Sequence, residues 1–181
     1  MKNFLYQKKI DKFNISLTVH ECPKSMFNEI YPVFKIDINE YFKKKNIKNP
    51  KKYFLENFKI VCTWQKSKIP INTVSEDISK ELDRLYENFM YFINKIKKEI
   101  NKLGYWIDCS DPHTGKALFG NYTNITYREL YGLSYLLGYD SERMGCCGMV
   151  LHPEFKYNGY PITFFTDIKL DKLKNIFDLS C

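Results

Sequence analysis

Two adjacent cysteines near the C-terminal end are the residues of this chain best suited to chemistry. Cys146 and Cys147 stand between Gly145 and Gly148 in the stretch SERMGCCGMVLH. The thiolate of cysteine is a nucleophile and a soft metal ligand, and a nearby positive charge such as that of Arg143 favours it. Glycine neighbours let a bulky ligand approach the backbone closely. Adjacent side chains in an extended chain point to opposite faces, so we expect one thiol to face a ligand and the other to pack inward.

The same pair admits two other interpretations. The two cysteines could be small buried hydrophobes at a turn that enters a strand, or they could form a thiol redox switch. A catalytic couple of Cys147 with His152 is disfavoured, because an offset of five along a strand places the two side chains on opposite faces. Small apolar fillers are the expected role of Cys22, Cys62 and Cys109.

Composition argues against several classes of function. The chain has 181 residues, of which 44% are hydrophobic and 17% aromatic, which suffices for a folded core. Its net charge of +7 is carried almost wholly by lysine, and no RNA-binding aromatic motif accompanies it, so we expect no nucleic-acid partner. No apolar run is long enough for a membrane span, and the N-terminus lacks the apolar core of a secretion signal. We therefore expect a cytoplasmic protein, with a mitochondrial location left open.

Hydrophobic periodicity predicts the elements that position the cysteines. Apolar residues recur at intervals of three and four from Ser75 to Leu103, which predicts one long helix. Thr73 and Glu76 have the spacing of a capping box at its start, and Gly104 suits the position just after its end. Strands are expected over 13–19, 58–64, 105–109, 116–119, 149–152 and 161–167, with a turn at 111–115.

Shorter helices complete the predicted fold. They are expected from Pro23 through Ile30 with a stop at Pro32, near 126–137 with a stop at Gly138, and in the tail after residue 167. Residues 36–57 are expected to form a weak helix or a long loop. Because strands and helices interleave and several strands are joined by tight turns, we predict an α+β fold with a mostly antiparallel sheet covered by the long helix. No repeat or linker divides the chain, so residues 1–181 are expected to form one domain.

Four motifs stand in a distinctive order along the chain. The stretch GYWIDCSDPHTGKALFGNYTN occupies 104–124, and GYDSERMGCCGMVLH follows at 138–152. Two shorter motifs, VHECP at 19–23 and TWQKSK at 63–68, precede them. Their order and spacing resemble those of the cblD-type cobalamin-trafficking proteins, also called the methylmalonic aciduria and homocystinuria type D protein family. The similarity covers about residues 13–168.

The resemblance implies a fold and a role that composition does not supply. It implies a fold like that of flavin-dependent nitroreductases, without bound flavin and without catalysis. It also implies an adaptor that binds a cblC-type processing protein and directs cobalamin to methionine synthase or methylmalonyl-CoA mutase. In the family, the second cysteine of the motif is implicated in a cobalt–sulfur bond to cobalamin held by the partner, which assigns that role to Cys147 and makes Cys146 the neighbouring thiol. A thiolate is a suitable ligand for cobalt.

By the same resemblance, the chain is expected to bind no cofactor tightly by itself and to lack the long N-terminal extension of the family. Two alternatives from other classes stay open. One is a flavin-dependent reductase of the same fold, and the other is a thiol-redox protein that uses the vicinal cysteines.

Overall fold

A five-stranded antiparallel sheet forms the centre of the structure, with helices on both faces. The computed structural model describes residues 4–144 and 147–179, with the backbone alone for Met144 and Cys147. The strands are β1 (Tyr6–Ile10), β2 (Ile15–Glu21), β3 (Lys59–Lys66), β4 (Ile107–Cys109), β5 (Ser141–Met144), β6 (Cys147–Val150) and β7 (Gly159–Thr166). The helices are α1 (Lys24–Lys44), α2 (Pro50–Asn57), α3 (Glu76–Lys102), α4 (Glu129–Leu137) and α5 (Leu170–Leu179).

The strands of the central sheet follow the order β1-β2-β3-β7-β4, and β5 pairs with β6 in a separate two-stranded sheet. Every pairing is antiparallel. The predicted α+β class with a mostly antiparallel sheet is therefore confirmed. The resemblance to the nitroreductase sandwich and the single-domain organisation stay predictions. None of the helices in the described part of the chain is both long and apolar enough to cross a membrane.

Alternation of side chains gives the sheet two buried faces. Leu17 and Val19 of β2 pack with α3 and α5 on one face, in a cluster that includes Phe89. Ile60 and Cys62 of β3 pack on the other face with α1, α2 and α4. The core therefore has two apolar layers with the sheet between them.

The long helix is confirmed as α3, and its apolar stripe covers one face of the sheet. Because the helix begins at Glu76, its N-cap is Ser75, whose side chain accepts a hydrogen bond from Ile78 N at 3.2 Å. The predicted capping box of Thr73 with Glu76 is therefore wrong. Gly104 follows the helix with a φ of +75°, the left-handed conformation expected just after a helix end.

The helix stop predicted at Pro32 is wrong. Helix α1 continues through Pro32 to Lys44, and α2 follows, so the helical alternative for 36–57 is the correct one. Proline removes one backbone donor and crowds the preceding turn. Burial of the apolar side of α1 against the sheet, including Val33 and Phe34, offsets that cost.

Two strands have no counterpart among the predicted elements. Strand β1 has the sequence YQKKI, in which only the two end residues are apolar, so its sequence lacks the alternation of apolar and polar residues that predicts a strand. It forms because β2 presents an edge for pairing. Strand β5 is short and polar, and it pairs with β6. The strands predicted at 149–152 and 161–167 correspond to β6 and β7, but they do not pair with each other, because β7 lies between β3 and β4.

The segment after α3 is organised by the carboxylate of Asp108. The strand predicted at 116–119 reduces to one bridge between Ser110 and Ala117. Backbone N–H groups donate instead to the two oxygens of Asp108, at 2.7–3.2 Å, from Cys109, Leu118, Phe119 and Gly120. A buried side chain thus satisfies donors that would otherwise need a strand partner.

The turn predicted at 111–115 is confirmed. Asp111 Oδ1 accepts hydrogen bonds from His113 N at 2.7 Å and Thr114 N at 2.9 Å. Aspartate favours turns because its short side chain reaches the backbone two and three residues ahead. His113 lies in this turn and is exposed.

Replacing Asp108 with Asn should lower the free energy of unfolding by about 2–3 kcal/mol, because one carboxylate oxygen becomes an NH₂ group that faces backbone donors. Denaturant unfolding measures this change. Asp111→Asn is the matched control, and it should cost less than about 0.5 kcal/mol because Asn also supports such turns. Equal stabilities of the two variants would contradict the organising role of Asp108.

Candidate functional site

The hairpin of β5 and β6 carries the cysteine pair. Cys147 is the first residue of β6, and its backbone is paired with that of Met144. Gly145 and Cys146 lie between the two strands in sequence, outside the described residues. The hairpin contacts α4 through β6 and has no strand pairing with the central sheet within the described ranges. The backbone of Cys147 therefore belongs to a small element beside the main core.

Gly148 gives the hairpin a close contact with α4. A Cβ atom at this position would lie 2.6 Å from Leu130 Cδ2, far inside the normal contact distance between carbon atoms. The absence of a side chain therefore has a packing reason. The role predicted for Gly148, access for a bulky ligand, stays a prediction.

A cleft of about 600 Å³ opens between the hairpin, α4 and the edge of the central sheet. This volume is typical of small-molecule sites, which span about 300–1,000 Å³. Its apolar wall comes from Ile71, Leu82, Leu130, Leu133, Val150 and Pro161. Residues 148–150 form part of the wall directly after Cys147. At a rise of about 3.3 Å per residue, the Cα atom of Cys147 lies within about 10 Å of that of Val150.

Glu129 is a residue of the cleft wall, and its carboxylate is buried. It is the first residue of α4, and its Oε1 accepts a hydrogen bond from the hydroxyl of Thr163 on β7. Its Oε2 is buried and has no hydrogen-bond partner among the described residues. Burial raises the pKa of Glu129 to about 7, although the bond from Thr163 acts in the opposite direction.

A row of small side chains, two threonines and one cysteine, lies on the sheet beneath α4. The register aligns Thr18, Cys62 and Thr163 across β2, β3 and β7, on the face that α4 covers. Ser110 extends the row, since its N–H donates to Thr163 O at 3.1 Å. Ser110 Oγ and the Tyr127 hydroxyl are also buried without a partner among the described residues. Three of the buried polar atoms without a partner in the described part of the chain thus belong to Ser110, Tyr127 and Glu129.

Most acids of this layer stay neutral near physiological pH. Burial raises the pKa of the Cys62 thiol and of the Tyr127 hydroxyl. Burial likewise raises the pKa of Tyr160, which lines the cleft. Glu129 is therefore the acid of this group whose charge changes close to pH 7.

The predicted role of three cysteines as apolar fillers is confirmed, because Cys22, Cys62 and Cys109 are buried free thiols. His152 organises the turn after β6. Its Nδ1 accepts hydrogen bonds from the backbone N–H groups of Glu154 and Phe155, both at 3.2 Å. Within the residues described, no group of three or more His, Cys, Asp and Glu side chains could hold a metal ion.

Comparison with known proteins identifies the family. The family model described as methylmalonic aciduria and homocystinuria type D protein matches residues 5–175. The chain belongs to this family. The resemblance inferred from the order of the motifs is therefore confirmed.

Two similar vertebrate proteins are named cobalamin trafficking protein CblD. The cobalamin trafficking protein CblD of Homo sapiens is 34% identical over 93 residues, and that of Gallus gallus is 33% identical over 93 residues. The aligned stretch covers 51% of this chain and 31% of each relative. This family member therefore aligns with less than a third of the length of these relatives.

Sequence patterns gave no signal for Glu129 or Thr163 as site residues. An acidic residue in the first turn of a helix is explained by the helix dipole, and a threonine in a strand by β propensity. The two residues lie 34 positions apart, so their spacing does not connect them. Folding brings them together over the cleft beside Cys147.

Glu129→Gln should stabilise this family member at pH 8 and have little effect near pH 5. The ordinary pKa of 4.5 rises to about 7 on folding, so the folded state holds the proton more tightly. The free energy of unfolding therefore falls as the pH rises from about 4.5 to about 7, by at most about 1.4 kcal/mol per pH unit. Glutamine stays neutral and removes this loss, so we expect a gain of about 1–3 kcal/mol at pH 8.

Chemical denaturation of the parent and the variant at pH 5, 6, 7 and 8 gives the free energy of unfolding of each protein. Subtracting one value from the other at each pH cancels the contributions of the other titrating groups. Glu87→Gln, at an exposed glutamate on α3, is the control and should leave the pH profile unchanged. A difference between Glu129→Gln and the parent that does not vary with pH would contradict the buried, titrating carboxylate.

Gly148→Ala should displace Leu130 and lower the free energy of unfolding by about 1 kcal/mol, because the new methyl group occupies the space of Leu130 Cδ2. Combining it with Leu130→Ala should remove this penalty, so the two changes are non-additive in a double-mutant cycle. Simple additivity would show that residue 148 and Leu130 do not share that space.

Proposed function

We propose that this chain is an adaptor of cobalamin trafficking, and that Cys147 supplies a thiolate ligand to the cobalt of cobalamin held by a cblC-type processing protein. Membership of the family carries this proposal, since relatives in it are named cobalamin trafficking proteins. The position of Cys147 supports it, because the residue opens β6 of a hairpin beside the central sheet. In this role the adaptor would direct cobalamin to methionine synthase or methylmalonyl-CoA mutase without catalysing a reaction itself.

The chemistry required of Cys147 is the loss of one proton and the donation of one sulfur lone pair. A free cysteine has a pKa of about 8.5, so binding to cobalt at neutral pH releases a proton from most of the molecules.

The hairpin also suits an approach to cobalamin bound on another protein. The thiolate must reach the cobalt above the face of a large planar ring, so it has to be on an element that extends beyond the main core. The β5–β6 hairpin is a separate two-stranded sheet beside the central sheet, and Gly145 and Gly148 flank the two cysteines in sequence.

Cys147→Ala should abolish the change in cobalamin absorbance that follows addition of this protein to cobalamin on its cblC-type carrier, because alanine offers no cobalt ligand. The measurement is an absorption spectrum of the loaded carrier before and after the addition. Cys146→Ala is the matched control and should keep the change, since the neighbouring thiol is not the proposed ligand.

A size-exclusion run of the same mixtures separates binding from coordination. Complex formation without a spectral change would keep the adaptor role and remove Cys147 from the chemistry. A spectral change that persists in Cys147→Ala would likewise overturn the cobalt–thiolate assignment. Absence of both the complex and the spectral change would overturn the adaptor role.

A further inference from the structure

We propose that a lysine-lined pocket at the start of α2 binds an acidic peptide segment of another protein, with Lys24, Lys51 and Lys52 pairing with its carboxylates. This surface does not depend on the proposed role of Cys147, because the residues that line it lie on or beside α1 and α2. It gives the chain a contact surface separate from the hairpin of β5 and β6.

The positive charge of the chain is concentrated in one short segment. The whole chain has a net charge of +7. Residues 43–52 account for six of these charges, because they contain no acidic residue and six lysines, namely Lys43, Lys44, Lys45, Lys48, Lys51 and Lys52. All six are exposed, and among the described residues only Lys52 has a carboxylate partner, Glu56 at 3.8 Å. The end of α1 and the start of α2 therefore present positive charge that the chain itself does not balance.

A pocket of about 500 Å³ collects three lysines beside this segment. Lys51 and Lys52 lie in the first turn of α2, and Lys24 is the first residue of α1. The wall also contains Leu55, which is half-buried, and one acidic residue, Glu56. The pocket therefore suits a ligand that carries several negative charges and an apolar group.

The stability of the helices does not explain the three lysines of the pocket. The N-terminal end of a helix carries a partial positive charge, which favours acidic residues in the first turn and disfavours cations. Neither α1 nor α2 has an acidic residue in its first turn, and both have lysine there. Lys43 and Lys44, in contrast, lie in the last turn of α1, where the helix dipole favours them. Lys24, Lys51 and Lys52 are thus placed at a cost to the folded state, which an acidic partner offsets.

The shape of the surface and its side chains favour a peptide over other anions. A pocket admits a protruding chain, whereas a membrane is a broad surface that proteins commonly hold with inserted apolar side chains. Throughout the described stretch 37–73, no large apolar side chain is exposed. Single-stranded nucleic acids stack on aromatic rings. The rings of Phe27 and Tyr53 are half-buried, and Lys51 Nζ lies over Phe27 at 5.4 Å from the ring centre.

The test uses a fluorescein-labelled peptide of glutamates with one central leucine, whose binding to the full chain is followed by fluorescence anisotropy. We expect the affinity to fall at least about tenfold between about 50 mM and about 500 mM NaCl, because salt screens exposed charges. The triple variant Lys24→Gln, Lys51→Gln and Lys52→Gln should bind at least about tenfold more weakly than the parent at low salt, since it lacks the charges that pair with the peptide.

The matched control is the triple variant Lys66→Gln, Lys80→Gln and Lys98→Gln, which loses the same net charge at exposed positions outside the pocket. It should bind the peptide within about threefold of the parent. The midpoint of thermal unfolding of the pocket variant should be no lower than that of the parent, because the changes remove cations from two helix N-termini. Loss of binding is then distinct from loss of the fold.

Equal weakening in the two triple variants would overturn the pocket, because binding would then follow net charge alone. Tighter binding of the parent to phosphatidylserine vesicles or to oligothymidylate than to the peptide would replace the peptide with a membrane or a nucleic acid, and so would refute the proposal. A parent protein that does not bind the peptide at low salt would refute it as well. None of these results changes the test of Cys147.

Discussion

The register of the β2–β3–β7 ladder is the constraint on which the rest of this structure depends. Both faces of the sheet are buried, one under α3 and the other under α4. A one-residue shift in the pairing of a strand would therefore move the side chains that pack under α3 to the face under α4, and the reverse. The same register places Thr18, Cys62 and Thr163 in one row on the face of α4. The apolar core and the polar layer beneath the cleft are therefore fixed together by one set of backbone hydrogen bonds.

The polar layer between α4 and the sheet is costly, because it contains buried polar atoms without a hydrogen-bond partner among the described residues. Glu129, Ser110 and Tyr127 each carry a buried atom without a partner among the described residues. Asp37 Oδ2 and Trp64 Nε1 are likewise buried without a partner in that part of the chain. Asp167, by contrast, accepts from the Tyr41 and Tyr53 hydroxyls and from a backbone N–H. Protein interiors tolerate unsatisfied groups mainly where a ligand or water completes them.

Much of the fold could be predicted from local patterns, and the errors have a common cause. The stripe of α3 and the strands β2, β3 and β7 are long, regular and apolar, so periodicity identified them. The continuation of α1 through Pro32 and the formation of β1 depend on burial and on an available strand edge, which are properties of the surroundings. The residues of the candidate site likewise fall into two groups, those that local sequence patterns reveal and those that only the fold reveals. The cysteine pair is visible as a motif, whereas Glu129 and Thr163 have ordinary roles in any local interpretation.

The sequence by itself determined the α+β class, the long helix, the candidacy of Cys147 and, through the order of its motifs, the family. These features depend on residues that are close together in the chain or on the linear order of short motifs. Only the tertiary structure decided that β6 pairs with β5 and not with β7, and that residues of α4, β6 and β7 line one cleft. It alone brought the carboxylate of Glu129 to Thr163, because contacts between residues far apart in sequence are set by the packing of whole elements.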